Sequence, residues 1–421
     1  MKSAVHKRDS SADQKALYRF ILDGDPRKRK KLFNYVAVRT KLLWKALLSV
    51  VFQQRGLIEP VVCDVLLIHP SQKSFLQGRK KPLIAALKAR GLNVEEYVEI
   101  DDRDLLLRRD FYSPCRSVPF LFRWHAAHAE YLLRRFETKV MLTERNGWVL
   151  PSFIKMLRRD GAIVVHLAHS VITSQSSRYR YFDYDYYFLY GRSSLEYLKR
   201  LPNTFGQCVA CYCGPYFWPD KDDFSKPAVS SENIECLFLA PGPAYETRCG
   251  YLEVCSWVME WLAENESIHL SVKLHPRGTG NWWRSHLMGN ERISILPELT
   301  SLDDCAARFD IVLSDYTNAI VDVARYATPF VLLGSHKDYF SVERFGIPRA
   351  RSAIQLRDEV DAILVDPPAY AARSLSFFEF HVENRRFSLG SIVESVVSLA
   401  NKKALPGIRL KSALDDFDDA M

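Results

Sequence analysis

Short apolar runs alternate with longer amphipathic runs along most of this chain, and the alternation occurs as two series. The first series extends from Val61 to Tyr212 and the second from Glu235 to Leu333. A short apolar run bounded by turn residues predicts a buried strand, and an amphipathic run predicts a helix that covers it. Strands that alternate with helices pair in parallel, so each series predicts a parallel sheet with helices on its faces.

The stretch between the two series is polar and lacks apolar periodicity, which predicts a linker. A chain of 421 residues is also too long for one ordinary core. We therefore predict an α/β protein with two Rossmann-like lobes facing each other across a cleft. The predicted divisions are an N-terminal tail with a basic amphipathic helix (1–60), a first Rossmann-like lobe (61–219), the linker (220–233), a second Rossmann-like lobe (234–400) and a C-terminal tail (401–421).

Charge and cysteine content exclude several classes of protein. The net charge is +8, but the basic residues are spread along the chain and form one dense run, Arg27–Lys31, so no nucleic-acid partner is predicted. Nine cysteines at irregular spacing and a polar N-terminus without a secretory signal predict reduced thiols in the cytoplasm. Cys208, Cys211 and Cys213 lack a second ligand pair at metal-site spacing, so no metal site is predicted there.

The segment Lys31–Phe52 has apolar residues at approximately helical spacing next to Lys41 and Lys45. Its apolar positions are Leu32, Val36, Leu43, Leu47 and Val50. Such a helix could lie on an anionic membrane surface, or it could pack on its own protein. The first alternative predicts a peripheral protein on the inner face of the cytoplasmic membrane, which contacts the membrane through residues 27–52.

Polar side chains follow the predicted strands of the second lobe. His275 and Arg277 come after one strand, and the segment from Ser314 to Asn318 comes after another and opens a helix. Imidazole, guanidinium, hydroxyl groups and free main-chain N–H groups at a helix start are suited to phosphate oxygens. An ordinary helix cap is the alternative for Ser314, Asp315, Thr317 and Asn318. Asp322 lies one turn into that helix, and Gly242 follows another strand, where it permits close approach to a ligand.

The first lobe has polar residues at equivalent positions. His169 and Ser170 follow one apolar strand, and Glu144 follows another. A histidine there could act as a general base on an acceptor hydroxyl. His166 points to the opposite face of its strand, which disfavours a metal site shared with His169.

Asp183 and Asp185 offer a different interpretation, since a DxD pair can hold a divalent ion on a nucleotide diphosphate. That interpretation implies a metal-dependent transferase with one lobe and leaves the second lobe unexplained. The sequence contains no Walker loop, GxGxxG, HExxH or GxSxG motif. Because these motifs are typical of common kinases, dehydrogenases, metalloproteases and lipases, none of these classes is predicted.

The order of these strand ends resembles bacterial surface-polysaccharide transferases of the GT-B type, which include the CDP-glycerol glycerophosphotransferases of teichoic acid synthesis and related capsule polysaccharide transferases. The resemblance covers about residues 138–335. The matching pieces are Val164–Ser170, Tyr187–Gly191, Gly214-Pro215, Leu237–Pro241, Lys273–Pro276 and Asp310–Asn318, with Asp322 and Pro329. One position departs from the pattern, because Ser170 stands where the family typically has glycine.

The resemblance implies a metal-independent enzyme of the cell envelope that needs no cofactor. It would move a glycosyl or glycerol-phosphate-type group from a nucleotide-activated donor, with CDP- or CMP-linked donors favoured, to a lipid-linked or polymeric glycan. His169 and His275 would be catalytic, and the donor phosphates would be held by Gly242, Arg277, Ser314, Asp315, Thr317, Asn318 and Asp322. Glu144 and Ser170 would lie on the acceptor side. The alternatives are a nucleotide-sugar epimerase of the same fold and a non-catalytic glycan-binding scaffold of a capsule assembly complex.

Overall fold

The computed structural model describes residues 10–23, 32–158, 161–173, 177–224, 233–287, 290–298, 300–315, 317–335 and 337–412. The chain divides into two compact units, each built around one sheet. Unit 1 comprises residues 1–220 and 387–421, and unit 2 comprises residues 221–386. The basic run Arg27–Lys31 and most of the predicted linker lie outside the described residues.

Unit 1 contains a seven-stranded sheet in the order β13-β6-β5-β4-β3-β1-β2. All pairs are parallel except β13 with β6, which is antiparallel. The strands are β1 (Val61–His69), β2 (Val94–Val98), β3 (Phe136–Thr143), β4 (Ile163–Leu167), β5 (Tyr186–Leu189), β6 (Gln207–Tyr212) and β13 (Ile408–Lys411). Their central residues are apolar and buried, as expected for a parallel sheet covered on both faces.

The helices of unit 1 cover its sheet and end in recognisable ways. They are α1 (Ser10–Asp23), α2 (Leu32–Val51), α3 (Gln72–Leu76), α4 (Lys81–Ala89), α5 (Asp102–Arg108), α6 (Arg123–Arg135), α7 (Leu150–Leu157), α8 (Arg192–Arg200) and α16 (Ser388–Ala400). Ser71 caps α3 and Asp101 caps α5 through their side chains, which satisfies main-chain donors of the first turn. Helices α4 and α16 pack on the apolar face formed by β1, β3 and β4.

Unit 2 contains a six-stranded parallel sheet in the order β12-β11-β10-β7-β8-β9. The strands are β7 (Ile234–Leu239), β8 (Ile268–Lys273), β9 (Ile293–Ile295), β10 (Ile311–Ser314), β11 (Phe330–Leu333) and β12 (Arg349–Ala350). The helices are α9 (Pro243–Glu246), α10 (Cys249–Glu264), α11 (Asn281–His286), α12 (Leu302–Cys305), α13 (Ala319–Ala324), α14 (Ala353–Val365) and α15 (Pro367–His381). Trp261 and Trp283 are fully buried in the core of this unit.

The two parallel sheets confirm the predicted α/β class with two Rossmann-like lobes. The prediction for the two ends of the chain was wrong in part. Residues 10–23 form a helix rather than a tail, because Leu17 is buried and Tyr18 stacks on Phe122 with ring centroids 4.2 Å apart. Residues 387–412 belong to unit 1 rather than to the second lobe and a tail, because α16 buries Val393 and Val396 on the first sheet and β13 extends that sheet.

Helix α2 confirms the helix predicted near residues 31–52, and apolar side chains lie on two opposite faces of it. Leu42, Ala46 and Ser49 are buried, and neighbouring side chains of this face pack with Trp124 of α6. The opposite face is apolar and exposed: Val36, Leu43, Trp44, Leu47 and Val51 keep between 45% and 74% of their surface in solvent. Within the described ranges, every helix is too short or too polar to cross a lipid bilayer.

Candidate functional site

Each sheet contains a point where the strand order reverses, and ligands of open α/β sheets bind beyond the carboxyl ends of the strands at such points. In unit 1 the reversal lies between β1 and β3, since β2 follows on one side of β1 and β3 on the other. In unit 2 it lies between β7 and β10. The candidate site residues are therefore those that follow these four strands and their neighbours.

The carboxyl end of β3 in unit 1 carries a buried ion pair. Glu144, only 7% exposed, accepts a hydrogen bond from Lys80 Nζ at 2.6 Å, from Ser74 Oγ at 2.9 Å and from Tyr216 OH at 2.5 Å. Burial alone would raise the pKa of Glu144, but the Lys80 ammonium and these hydrogen bonds outweigh it and lower the pKa to about 2. Glu144 is therefore an ionised carboxylate over the whole physiological pH range.

His169 lies beside this ion pair, at the carboxyl end of β4. Burial lowers its pKa, the charges of Arg79 and Lys80 lower it further, and the Glu144 carboxylate and a hydrogen bond to the Glu144 main chain oppose the shift. Its Nδ1 atom is buried and has no hydrogen-bond partner among the described residues. The imidazole is therefore neutral at physiological pH, which is the form that accepts a proton.

A second imidazole lies at the end of β1. His69 is 3% exposed, and its Nε2 lies 2.7 Å from Glu96 Oε2 on the neighbouring strand. Burial lowers the pKa of His69, and the nearby Lys80 charge lowers it further. The three neighbouring strands β1, β3 and β4 thus each contribute one acid–base group to the same edge of the sheet.

In unit 2, His275 and Gly242 lie together after β8 and β7. A Cβ atom on Gly242 would stand 3.7 Å from His275 Nε2, in van der Waals contact with the ring, so Gly242 lies directly beside this imidazole. The main-chain N–H of Arg277 donates to His275 Nδ1 at 3.1 Å. Because Nδ1 accepts this bond, the neutral ring carries its proton on Nε2, which makes Nε2 a hydrogen-bond donor.

The segment after β10 combines buried and exposed residues. Ser314 and Asp315 are buried, and Ser314 Oγ has no hydrogen-bond partner in the part of the chain that the structure describes. Thr317 Oγ1 accepts a hydrogen bond from the main chain of Ala319 at 3.3 Å, as a helix cap does. Asn318 is exposed and its side chain makes no capping bond to α13.

Asp322, Arg277 and Ser170 occupy other surroundings. The charge of Asp322 acts on the buried Arg325, which pairs with Asp303 at 3.0 Å. Arg277 is exposed, and Ser170 Oγ lies 3.2 Å from Tyr179 OH. The structure thus brings together His169 with Glu144, and His275 with Gly242, whereas the binding roles of Asp322, Arg277 and Ser170 stay predictions.

Asp183 and Asp185 form ion pairs with cationic side chains of unit 1. Asp183 accepts from Lys155 Nζ at 2.7 Å, and Asp185 forms two hydrogen bonds with the Arg158 guanidinium, at 2.5 and 3.0 Å. Both carboxylates precede β5, so they lie at the amino end of that strand. This arrangement is typical of structural ion pairs at the edge opposite to the ligand-binding one.

Sequence reasoning missed Lys80, Tyr216 and the His69–Glu96 pair in unit 1, and Glu246 in unit 2. Glu246 accepts hydrogen bonds from the main chain and side chain of Thr279, at 3.0 and 3.1 Å, and so fixes the loop that follows His275. The only signal for Lys80 was the run of three cations that begins at Arg79, directly before an amphipathic helix.

Comparison with known proteins shows similarity of structure alone. No protein-family model matches the sequence, and no curated protein sequence is significantly similar to it. Solved structures of similar fold include MnaA of S. aureus with UDP, at 12% identity and a TM-score of 0.53 over 82% of this chain and 99% of that one. UDP-GlcNAc 2-epimerase from Neisseria meningitidis bound to UDP-GlcNAc matches at 11% identity and a TM-score of 0.51, over 81% of this chain and 100% of that one.

The glycosyltransferase of kitacinnamycin also matches, at 15% identity and a TM-score of 0.49 over 82% of this chain and all of that one. The structures of MnaA and of UDP-GlcNAc 2-epimerase thus share the fold of this chain, and the predicted two-lobed α/β fold is confirmed.

Proposed function

We propose that the protein is a GT-B transferase that moves a glycosyl or glycerol-phosphate-type group from a nucleotide-activated donor to a polymeric or lipid-linked glycan. The observation that carries this proposal is the neutral His169, whose Nδ1 has no partner among the described residues and whose ring lies beside the ionised Glu144. A neutral imidazole next to a fixed carboxylate is suited to general-base catalysis, because the carboxylate stabilises the imidazolium that forms.

In this reaction His169 removes the proton of an acceptor hydroxyl while the hydroxyl oxygen forms the new bond to the donor. The bond between the transferred group and the nucleotide phosphate breaks, and the electron pair leaves on a phosphate oxygen. The Nε2–H of His275 and the hydroxyl of Ser314 donate to the nucleotide phosphates, which stabilises the charge on the leaving group. Gly242 leaves room for the phosphates next to His275.

Replacement of His275 by asparagine is expected to weaken nucleotide binding at least about tenfold, since a hydrogen bond to a charged phosphate is lost. Thermal melting with CDP-, CMP-, UDP- and GDP-linked donors measures this directly. A donor at about 100 times its Kd stabilises the wild type by about 2.7 kcal/mol, and a tenfold weaker Kd removes about half of that. His286, which is exposed in α11, provides the control substitution His286→Asn. If none of the four nucleotide classes stabilises the wild type, the proposal fails.

A nucleotide-sugar epimerase is the second candidate, and two observations favour it. Two of the structures similar to this chain contain UDP or UDP-GlcNAc, and unit 1 has a second imidazole–carboxylate pair, His69 with Glu96. An epimerase changes a nucleotide sugar without any acceptor, whereas the transferase releases free nucleotide only when acceptor is present. A glycan-binding scaffold would bind polymer, would gain no stability from nucleotides, and would keep its function when His169 and His275 are both replaced.

We propose further that the enzyme works beside a membrane through the exposed apolar face of α2. The buried face of this helix already packs on unit 1, so the opposite face has no partner within the described part of the chain. Helix α2 carries the exposed cations Arg39 and Lys41 and contains no acidic residue, whereas Lys45 pairs with Asp102 at 2.6 Å. Cations beside an exposed apolar face favour an anionic lipid surface over a neutral one.

The double variant Leu43→Ser/Leu47→Ser is expected to weaken binding to vesicles that contain phosphatidylglycerol at least about tenfold, because apolar surface no longer enters the bilayer. Co-sedimentation with these vesicles, and with pure phosphatidylcholine vesicles, measures the effect. Ile354 and Val365 of unit 2 are also apolar and are more exposed, at 68% and 86% against 45% for Leu43 and Leu47, and Ile354→Ser/Val365→Ser is the matched control. The proposal would be contradicted if the wild-type protein did not bind the vesicles but formed dimers through this face. Light scattering after gel filtration detects such dimers.

A further inference from the structure

Three cations begin helix α4, at a position where the helix dipole disfavours them. Lys81 is the first residue of the helix, Lys80 is its N-terminal cap residue, and Arg79 directly precedes the cap. The N-terminal end of a helix carries partial positive charge, so anions are stabilising there and cations are not. Lys80 is neutralised by Glu144, and the other charges require a different explanation.

Among the residues that the structure describes, Arg79 has no carboxylate partner. Its guanidinium lies 3.4 Å from the centre of the Phe217 ring, and no hydrogen bond or ion pair joins it to another residue in the described ranges. A planar guanidinium stacked on an aromatic ring keeps its N–H edge available for a bidentate contact. Phe217 is itself packed against the core of unit 1, so the ring fixes the position of an otherwise exposed side chain.

The charge of Arg79 reaches the candidate acid–base group. It lowers the pKa of His169 and of Lys80, and it lowers that of Tyr216 against the effect of burial. The geometry agrees with this, because the Phe217 ring on which Arg79 stacks lies 5.2 Å from the Tyr216 ring, and Tyr216 donates to Glu144 at 2.5 Å. Arg79 therefore lies beside the cluster formed by Lys80, Glu144, Tyr216 and His169. The buried Nδ1 of His169, without a hydrogen-bond partner among the described residues, is a second polar atom of the same cluster that a ligand could satisfy.

We infer that Arg79 and His169 form a subsite for a phosphate group at the carboxyl edge of the unit 1 sheet. The guanidinium binds two phosphate oxygens, and the imidazole lies next to the hydroxyl that reacts. The assignment of phosphate rests on the proposed function, since both a nucleotide-activated donor and a lipid-linked acceptor carry phosphate. Lys80 takes no part in this subsite, because Glu144 already holds its ammonium.

Phosphate binding has a consequence that can be measured without any reaction. Arg79 lowers the pKa of His169, so an anion bound to Arg79 cancels this effect and raises the pKa of that imidazole. A residue that served only to pack on Phe217 would not link phosphate to the titration of His169. The linkage therefore separates a ligand-binding role from a structural one.

The experiment uses the full chain labelled with ¹³C at histidine, with the His169 resonance assigned from the His169→Asn variant. Inorganic phosphate is expected to raise the pKa of His169 in the wild type. In Arg79→Gln the half-saturating phosphate concentration is expected to rise at least about tenfold. Arg79→Lys keeps the positive charge but loses the planar guanidinium. Its half-saturating phosphate concentration is expected to lie between those of the wild type and of Arg79→Gln.

Arg90→Gln is the matched control, since Arg90 lies at the other end of the same helix and pairs with Glu394. The control should titrate with phosphate as the wild type does. The inference would be overturned if the His169 pKa of Arg79→Gln responded to phosphate as that of the wild type does. It would also be overturned if phosphate left the His169 pKa of the wild type unchanged. Arg79→Lys keeps the test valid if Arg79→Gln fails to fold.

Competition distinguishes the two sources of phosphate. A nucleoside diphosphate that displaces inorganic phosphate from His169 assigns the subsite to the donor, and one that binds without displacing it assigns the subsite to the acceptor. Failure of this inference differs from failure of the proposed function, because nucleotide-induced thermal stabilisation is read through His275 in unit 2. If Arg79→Gln titrates as the wild type while nucleotides still stabilise the protein, only the subsite is refuted.

Discussion

Replacement of His169 by asparagine is expected to lower kcat about 10²–10⁴-fold, the usual contribution of a general base. Asparagine is close to histidine in size and polarity but cannot take up the proton of the acceptor hydroxyl. Turnover of the true donor and acceptor measures the effect. Exposed His286 in α11 is the control, and His286→Asn should retain wild-type turnover.

The pH profile provides a second measure of the same group. Burial and nearby cations lower the pKa of His169 below its usual value of 6.5, so the base is already neutral at pH 6.5. The acid limb of kcat/KM should therefore lie below pH 6.5 and should be absent from the residual activity of His169→Asn. An acid limb above pH 7, or full activity in His169→Asn, would remove His169 from the reaction.

Lys80→Met is expected to destabilise unit 1 by about 3–5 kcal/mol, because it leaves the buried carboxylate of Glu144 without its cation. The double variant Lys80→Met/Glu144→Gln removes both charges and should recover much of this loss. Calorimetric melting measures both proteins. Lys88 is exposed on the same helix, and Lys88→Met should change the stability by less than about 0.5 kcal/mol.

The sign of the pH dependence follows from the lowered pKa of Glu144. A carboxyl group whose pKa is lower in the folded state contributes stability above its unfolded pKa and loses it as the pH falls towards the folded value. For Glu144 the window runs from the ordinary value of 4.5 down to about 2. The free energy of unfolding of the wild type should therefore approach that of Lys80→Met as the pH falls through this window. A constant difference down to pH 2 would show that the ion pair is not its source.

The sequence predicted the strands well because their signal is local. The apolar runs Tyr186–Leu189 and Phe330–Leu333 are strands with those bounds, since continuous apolar side chains are what a doubly covered sheet requires. Histidines and hydroxyl residues at strand ends were found for the same reason. Their position follows from the end of the run and needs no tertiary contact.

The Lys80–Glu144 cluster could not be predicted in the same way. Lys80 and Tyr216 lie 64 and 72 residues from Glu144 along the chain. No sequence pattern predicts contacts between residues so far apart. A similar limit applies to Asp183 and Asp185. Their DxD spacing is typical of a metal site. Only the structure shows that their carboxylates form ion pairs with Lys155 and Arg158.

Unit 2 interrupts unit 1 in the sequence, and its two ends meet where the Lys221 N–H donates to the Arg386 carbonyl at 2.9 Å. During synthesis on the ribosome, every residue of unit 2 emerges before α16 and β13, which complete unit 1. The apolar face that Val393 and Val396 cover therefore stays open until the last part of the chain is made. The usual order, in which the N-terminal domain finishes folding first, is reversed: the inserted unit can finish first, and the nascent unit 1 needs protection from aggregation until then.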